Sequence, residues 1–121
     1  MNSSLPAVLL IGFNRPDCFR KLIEAVRVVQ PGRVYVALDG PRHSPQHVAD
    51  VHRCEETRRL IELVDWPCKL KTLLHTTNLG CAQAVTSDIN WFFSLETEGI
   101  ILEDDCLPAP ECFPYAARML E

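Results

Sequence analysis

Short apolar segments alternate with longer segments of helical periodicity along this chain of 121 residues. Four of the apolar segments are strand-like because they are brief and bounded by turn residues; they cover residues 7–13, 33–38, 69–74 and 99–102. Between them, apolar residues recur every three or four positions, as on one face of an α-helix. Strands that alternate with helices form right-handed βαβ units, so the pattern predicts a parallel sheet flanked by helices.

Three helices are predicted between the four strands. The first follows Asn14, a candidate N-cap, and has Pro16 in its first turn. The second opens at residues 44–45 and carries apolar residues over 48–64, and the third covers residues 82–92 and ends near the fourth strand. The predicted fold class is therefore α/β: a three-layer αβα, Rossmann-like domain with a mostly parallel sheet in the order 3-2-1-4.

The composition indicates one globular domain of ordinary type. Hydrophobic residues make up 47% of the chain and charged residues 23%, which is enough to bury a compact core. Sixteen acidic and twelve basic residues give a net charge of -4, and the basic residues are scattered along the chain. A nucleic-acid partner is therefore not expected, and a small anionic ligand would need local positive charge or a metal ion.

The amino terminus predicts a cytoplasmic protein. Residues 1–4 lack a basic segment, and residues 7–13 are too few for a signal sequence or a membrane span. The six cysteines lie singly, without a CxxC pair, so we expect reduced thiols rather than disulfides or a zinc site.

Polar residues follow each predicted strand. Parallel strands present their carboxyl ends at one edge of the sheet, where ligands bind near a topological switch point. This rim would gather a cation, a lone carboxylate, an amide and three clustered carboxylates: Arg15, Asp39, Asn78, Glu103, Asp104 and Asp105. The last three are called the acidic triplet below. The alternatives are an exposed loop residue for Arg15, a plain turn for Asp39 and a helix N-cap for Asn78.

The acidic triplet is the strongest indication of function. Three carboxylates at the tip of a buried strand repel one another unless a cation joins them. Oxygen ligands suit Mn²⁺ or Mg²⁺, which take one or two protein carboxylates and complete their shell with water and ligand phosphates. The alternative is an acidic strand end before an exposed loop that contains Pro108 and Pro110. The pattern favours a cation bound together with a diphosphate.

The acidic triplet after an apolar strand resembles the DxD-type motif of glycosyltransferases with the GT-A fold, in the EDD form of N-acetylglucosaminyltransferases. The likeness extends to Arg15 and Pro16 after the first strand, to Asp39 after the second, and to residues 109–115 beyond the motif. Residues 78–80 and the helix that follows are similar to family-two glycosyltransferases. These positions match in order across nearly the whole chain.

The resemblance implies a function for each matching residue. Asp105 would bind Mn²⁺ or Mg²⁺, while Glu103 and Asp104 would hydrogen-bond the ribose, the sugar or metal-bound water. Asp39 would accept a hydrogen bond from the uracil ring of a UDP-sugar. Arg15 would lie against the base or the phosphates.

The resemblance also places Asn78 in the nucleotide-sugar site and makes residues 1–121 one domain, the amino-terminal donor-binding half of a larger metal-dependent glycosyltransferase. The general base would lie in the acceptor-binding half, so no catalytic residue is assigned. The isolated chain is expected to bind a UDP-sugar without transferring it, and the acceptor stays unknown. Apolar surface left by a missing half would favour a homodimer.

Other classes of function are alternatives. A receiver-type signalling domain has the right length and sheet, but it carries its acidic pair at the end of the first strand, whereas here the acids follow the fourth. A haloacid-dehalogenase-like phosphatase fails for the same reason. A non-catalytic nucleotide-binding or interaction module is the main alternative.

Overall fold

The computed structural model describes residues 5–43, 45 and 47–121. The fold consists of four parallel strands with helices against both faces of the sheet. The strands are β1 (Val8–Gly12), β2 (Arg33–Leu38), β3 (Lys69–Leu74) and β4 (Ile100–Glu103). The helices are α1 (Pro16–Val29), α2 (His47–Arg59), α3 (Cys81–Leu95) and α4 (Cys112–Met119), and a 3-10 turn (Leu60–Leu63) continues α2. No helix in these ranges is long and apolar enough to cross a membrane.

The strand order is β3-β2-β1-β4, which confirms the predicted topology. β1 lies between β2 and β4 and pairs with both in parallel, so that Val8 stands opposite Val34 on one side and Ile100 on the other. The chain adds β2 and β3 on one side of β1 and then returns to place β4 on the opposite side. This reversal is the switch point at which a crevice opens beyond the carboxyl ends of the strands.

Two apolar layers cover the two faces of the sheet. On one face, α1 and α4 contribute Phe19 and Phe113 to a core that also holds the apolar residues of the 3-10 turn. On the other face, Phe92 of α3 packs edge-on against Tyr35 of β2, with 4.9 Å between ring centroids. Every side chain of β1 is buried, as expected for the central strand of a parallel sheet covered on both faces. The three-layer arrangement is therefore confirmed.

The second helix departs most from the prediction. It gives way to the tighter 3-10 turn after residue 59 instead of continuing to residue 64, and Val48, counted as part of its apolar pattern, is 71% exposed. The buried residues of α2 are Asp50, Cys54 and Thr57. Because this face is mainly polar, apolar periodicity could not locate it. The predicted start at residue 44 lies outside the described residues.

The entry to α1 also differs from the prediction. Pro16 does occupy the first turn, as predicted, but the residue that precedes the helix is Arg15, and no side chain caps it. The side chain of Asn14 instead donates a hydrogen bond to Asp50 of α2, over 2.9 Å. Asn14 is therefore a contact between loop and helix rather than an N-cap.

Candidate functional site

A cleft of about 610 Å³ opens beyond the carboxyl ends of the strands. Loops that follow all four strands contribute to it, and the first turns of α3 form part of its wall. The six residues predicted as site residues all line it: Arg15, Asp39, Asn78, Glu103, Asp104 and Asp105. Ligand sites for small molecules typically enclose roughly 300–1,000 Å³. The cleft is therefore large enough for a nucleotide.

Asp39 braces the part of the cleft formed by the loops after β2 and β3. Its side chain is almost completely buried, and Oδ1 accepts hydrogen bonds from the backbone N–H groups of Gly40 (2.8 Å) and Leu79 (2.9 Å). Oδ2 accepts one from Nδ2 of Asn78, over 3.1 Å. A carboxylate oxygen has two lone pairs, so Oδ2 keeps one acceptor position beyond its bond to Asn78.

Asn78 holds the same two loops together. Its Nδ2 also donates to the backbone carbonyl of Gly40, over 3.0 Å. The two loops touch here, because a Cβ added at Gly40 would lie 2.7 Å from the backbone nitrogen of Thr77. The alternative of an N-cap for Asn78 is wrong: Gly80 precedes α3, with a φ of 82° that a residue without Cβ adopts freely.

The acidic triplet lines the cleft on the β4 side. Glu103 is the last residue of β4 and stands opposite Ile11 of β1. Asp104 and Asp105 occupy the turn that follows. Burial raises the pKa of Asp104, the charge of Arg15 lowers it, and the neighbouring carboxylates raise it further. Arg15 is thus close enough to Asp104 to act on its charge, although the two residues belong to loops after different strands.

The oxygen donors of the acidic triplet suit Mn²⁺ or Mg²⁺ in kind. Within the described ranges, however, no group of three or more His, Cys, Asp or Glu side chains is arranged to hold a metal ion. Asp105 is exposed, and such cations often use one or two protein carboxylates and take their other ligands from water and substrate phosphates. The residues therefore fit a cation shared with a phosphate ligand better than a closed protein site.

Arg42 is a cleft residue that the sequence pattern does not predict. Its Nε and Nη2 donate to Oδ2 and Oδ1 of Asp50 over 2.6 and 3.0 Å, and its backbone N–H donates to Oδ2 over 3.0 Å. Asp50 is fully buried, and the hydrogen bonds from Arg42 hold its pKa well below the usual range against the opposing effect of burial. No pattern in the sequence marks this pair, because Asp50 lies on the polar face of α2.

The lowered pKa of Asp50 predicts that the protein loses measurable stability in acid. This lowered pKa means that the ionised form stabilises the fold above the ordinary value of 3.8, and this contribution is lost as the pH falls below it. We expect Asp50→Asn to lower the free energy of unfolding by about 1.5 kcal/mol at pH 7, a modest value because Arg42 is partly exposed.

The measurement is denaturant unfolding of both proteins at a series of pH values. The difference between them should shrink from pH 4 towards pH 2. The raised pKa values of Asp88 and Asp104 act with the opposite sign, but they are common to both proteins and cancel in the difference. A difference that stays constant down to pH 2 would contradict the assignment.

His75, which follows β3, does not line the cleft. Its Nε2 lies 2.7 Å from Oδ1 of Asp88 on α3, and burial raises the pKa of that carboxyl group. The backbone carbonyl of His75 accepts from Nη2 of Arg58, over 2.6 Å. These contacts join the loop after β3 to α2 and α3, and so support the loop that carries Asn78.

Comparisons of the chain with protein-family models, with curated proteins and with solved structures found no match. The chemical groups of the cleft are therefore the indications of function. The cleft combines two guanidinium groups, a buried carboxylate with a remaining acceptor position, and the acidic triplet, all at the switch point of a parallel sheet.

Proposed function

We propose that the chain binds a UDP-sugar together with Mn²⁺ or Mg²⁺, as the donor-binding part of a metal-dependent GT-A glycosyltransferase. One observation carries the proposal: six polar or charged residues at the carboxyl ends of four different strands line a single cleft of nucleotide size. In open parallel sheets, the crevice at the switch point is where nucleotides bind.

Each residue has a distinct function in this proposal. Oδ2 of Asp39 accepts a hydrogen bond from the imide N–H of uracil, and Asn78 holds that carboxylate in place. Arg15 provides positive charge for the phosphates. Glu103 and Asp104 accept hydrogen bonds from sugar hydroxyl groups or from water.

Charge explains why a cation belongs to this site. A diphosphate would be repelled by the acidic triplet, and one Arg15 cannot offset three carboxylates. Asp105, the exposed carboxylate at the end of the triplet, would hold the cation from the protein side. When bound, the cation would neutralise negative charge on the leaving nucleoside diphosphate. The protein residues themselves bind and orient the donor.

The proposal extends to location and assembly. A cytoplasmic location agrees with the six cysteines, which are free thiols. Two of them, Cys81 and Cys106, are exposed. Exposed apolar side chains on and before α4 offer a surface for a homodimer; they include Leu107 (66% exposed) and Met119 (67%).

The test is calorimetric titration of the chain with UDP in the presence and absence of Mn²⁺. We expect binding to be about tenfold tighter with Mn²⁺, because the cation would offset the repulsion between the acidic triplet and the diphosphate, with Asp105 as its protein ligand. Asp105→Asn should remove this difference. Asp17→Asn, which changes an exposed carboxylate outside the cleft, is the matched control and should keep it.

Two results would count against the proposal. Equal affinity for UDP with and without Mn²⁺ in the unmodified chain would remove Asp105 as a metal ligand. Failure to bind UDP at millimolar concentration, with or without the cation, would remove the nucleotide-sugar function.

A further inference from the structure

We propose that Arg42 contacts the nucleobase of the bound nucleotide and that buried Asp50 holds it in position to do so. The inference rests on the proposed function, because it assigns a part of the same ligand. It adds a residue that no motif in the sequence marks, on the part of the cleft that also contains Asp39.

The orientation of the Arg42 side chain is set by Asp50 and Phe13. Two hydrogen bonds to Asp50 fix the guanidinium plane, and Cζ lies 5.7 Å from the centroid of the Phe13 ring, within the range of a cation–π contact. Asp50 is fixed in turn by the amide of Asn14. The guanidinium is therefore held by a carboxylate of α2 that is inaccessible to solvent, and not by an exposed side chain.

Part of the guanidinium remains available to a ligand. Of its five N–H donors, Asp50 takes two, and the other three have no acceptor among the residues that the structure describes. The side chain is 43% exposed and lines the cleft. Arg42 follows Asp39 by three residues in the loop after β2, so one short segment offers both donors and an acceptor. The edge of a nucleobase presents the complementary acceptor and donor.

Charge favours the base over the phosphates as the partner of Arg42. The carboxylate of Asp50 lies within hydrogen-bond distance of the guanidinium and offsets its positive charge. A compensated guanidinium attracts a diphosphate weakly, but it still donates hydrogen bonds to a neutral carbonyl oxygen. Arg15, on the side of the acidic triplet, is the cation placed for the phosphates.

The experiment compares three ligands in order to distinguish contacts with the base from contacts with the phosphates. The chain is titrated with uridine, with UDP and Mn²⁺, and with inorganic diphosphate and Mn²⁺, by NMR or calorimetry. Arg42→Gln should weaken binding of uridine and of UDP by the same factor, about tenfold, and leave inorganic diphosphate unchanged. Arg42→Lys should behave similarly, because an ammonium group keeps the charge but cannot reproduce the planar fork.

Arg27→Gln is the matched control. Arg27 also donates two hydrogen bonds to one carboxylate, that of Asp65, but this pair lies on the surface outside the cleft. The control should bind all three ligands as the unmodified chain does. Thermal unfolding of each variant shows whether it is folded, and Arg42→Lys, which keeps the aliphatic stem and charge, serves if Arg42→Gln does not fold.

The outcomes distinguish this inference from the proposed function. If the unmodified chain binds UDP, and Arg42→Gln and Arg42→Lys bind uridine as tightly as it does, the inference is wrong and the function stands. A loss confined to inorganic diphosphate and UDP would assign Arg42 to the phosphates and also overturn it. If the unmodified chain binds neither uridine nor UDP, the proposed function fails first.

Discussion

Asp39→Ala is expected to lower the free energy of unfolding by about 3 kcal/mol and to abolish the proposed nucleotide binding. The substitution removes the acceptor of three hydrogen bonds, from the backbone of Gly40 and Leu79 and from the side chain of Asn78. Since Asp39 is almost completely buried, these donors lose their partner in a place that water reaches poorly. The loops after β2 and β3 would separate, and this part of the cleft would lose its shape.

Asn78→Ala is the matched comparison for Asp39→Ala. It removes the side-chain donor but leaves both backbone hydrogen bonds to Asp39, so we expect a loss of only about 1 kcal/mol. Urea unfolding measures both values, with the midpoint and the slope fitted together. If Asp39→Ala costs no more than Asn78→Ala, the carboxylate does not brace the loops.

Gly99→Ala is expected to destabilise the fold by about 3 kcal/mol and to weaken the proposed effect of Mn²⁺ on UDP binding. A Cβ at this position would come within van der Waals overlap of Phe92 and lie 2.8 Å from the carbonyl oxygen of Ala7. That same oxygen accepts the N–H of Ile100, over 2.9 Å, where β4 begins. A shift of the start of β4 would therefore displace the acidic triplet at its end.

The clash can be tested by a double-mutant cycle with Phe92→Leu. Phe92 is fully buried, so Phe92→Leu alone should also destabilise the fold. In the double variant the smaller side chain makes room for the new methyl group, and the combined loss should be smaller than the sum of the two single losses. Strict additivity would show that the cost at Gly99 comes from the backbone contact with Ala7 alone.

The centre of the sheet could be predicted from sequence because β1 and β2 are buried on both faces, whereas the edge strand β3 is largely exposed. β1 and β2 are short apolar segments bounded by turn residues. The apolar residues of α1 recur at helical spacing, and they are the ones buried in the core. Their hydrophobic pattern and their physical environment agree, so the pattern was sufficient. The prediction of α2 is less accurate because its buried residues include Asp50 and Thr57. Asp50 depends on Asn14 and Arg42 outside the helix, and the hydroxyl of Thr57 donates to the backbone carbonyl of Arg53 one turn earlier.

The local sequence also specified which residues meet at the rim. Once the strands are parallel, the residues that follow them must lie at one edge of the sheet, so Arg15, Asp39, Asn78 and the acidic triplet could be grouped before any distance was known. Strand direction is a long-range property, but the alternation of strands and helices indicates it, because a helix that joins two neighbouring strands leaves them parallel.

The hydrogen-bond partners of these residues depend on the packed three-dimensional arrangement. The pairing of Arg42 with Asp50 requires α2 to pack with its polar face towards the loops, and the brace at Asp39 requires two loops to approach closely enough to exclude a Cβ at Gly40. The first contact could not be predicted because the buried face of α2 is polar, and the second joins loops that are far apart in sequence. The energy of both contacts depends on burial and on the hydrogen-bond angle. Residue type and spacing carry neither quantity, so they identify the chemical groups of the cleft but not the partners that orient them.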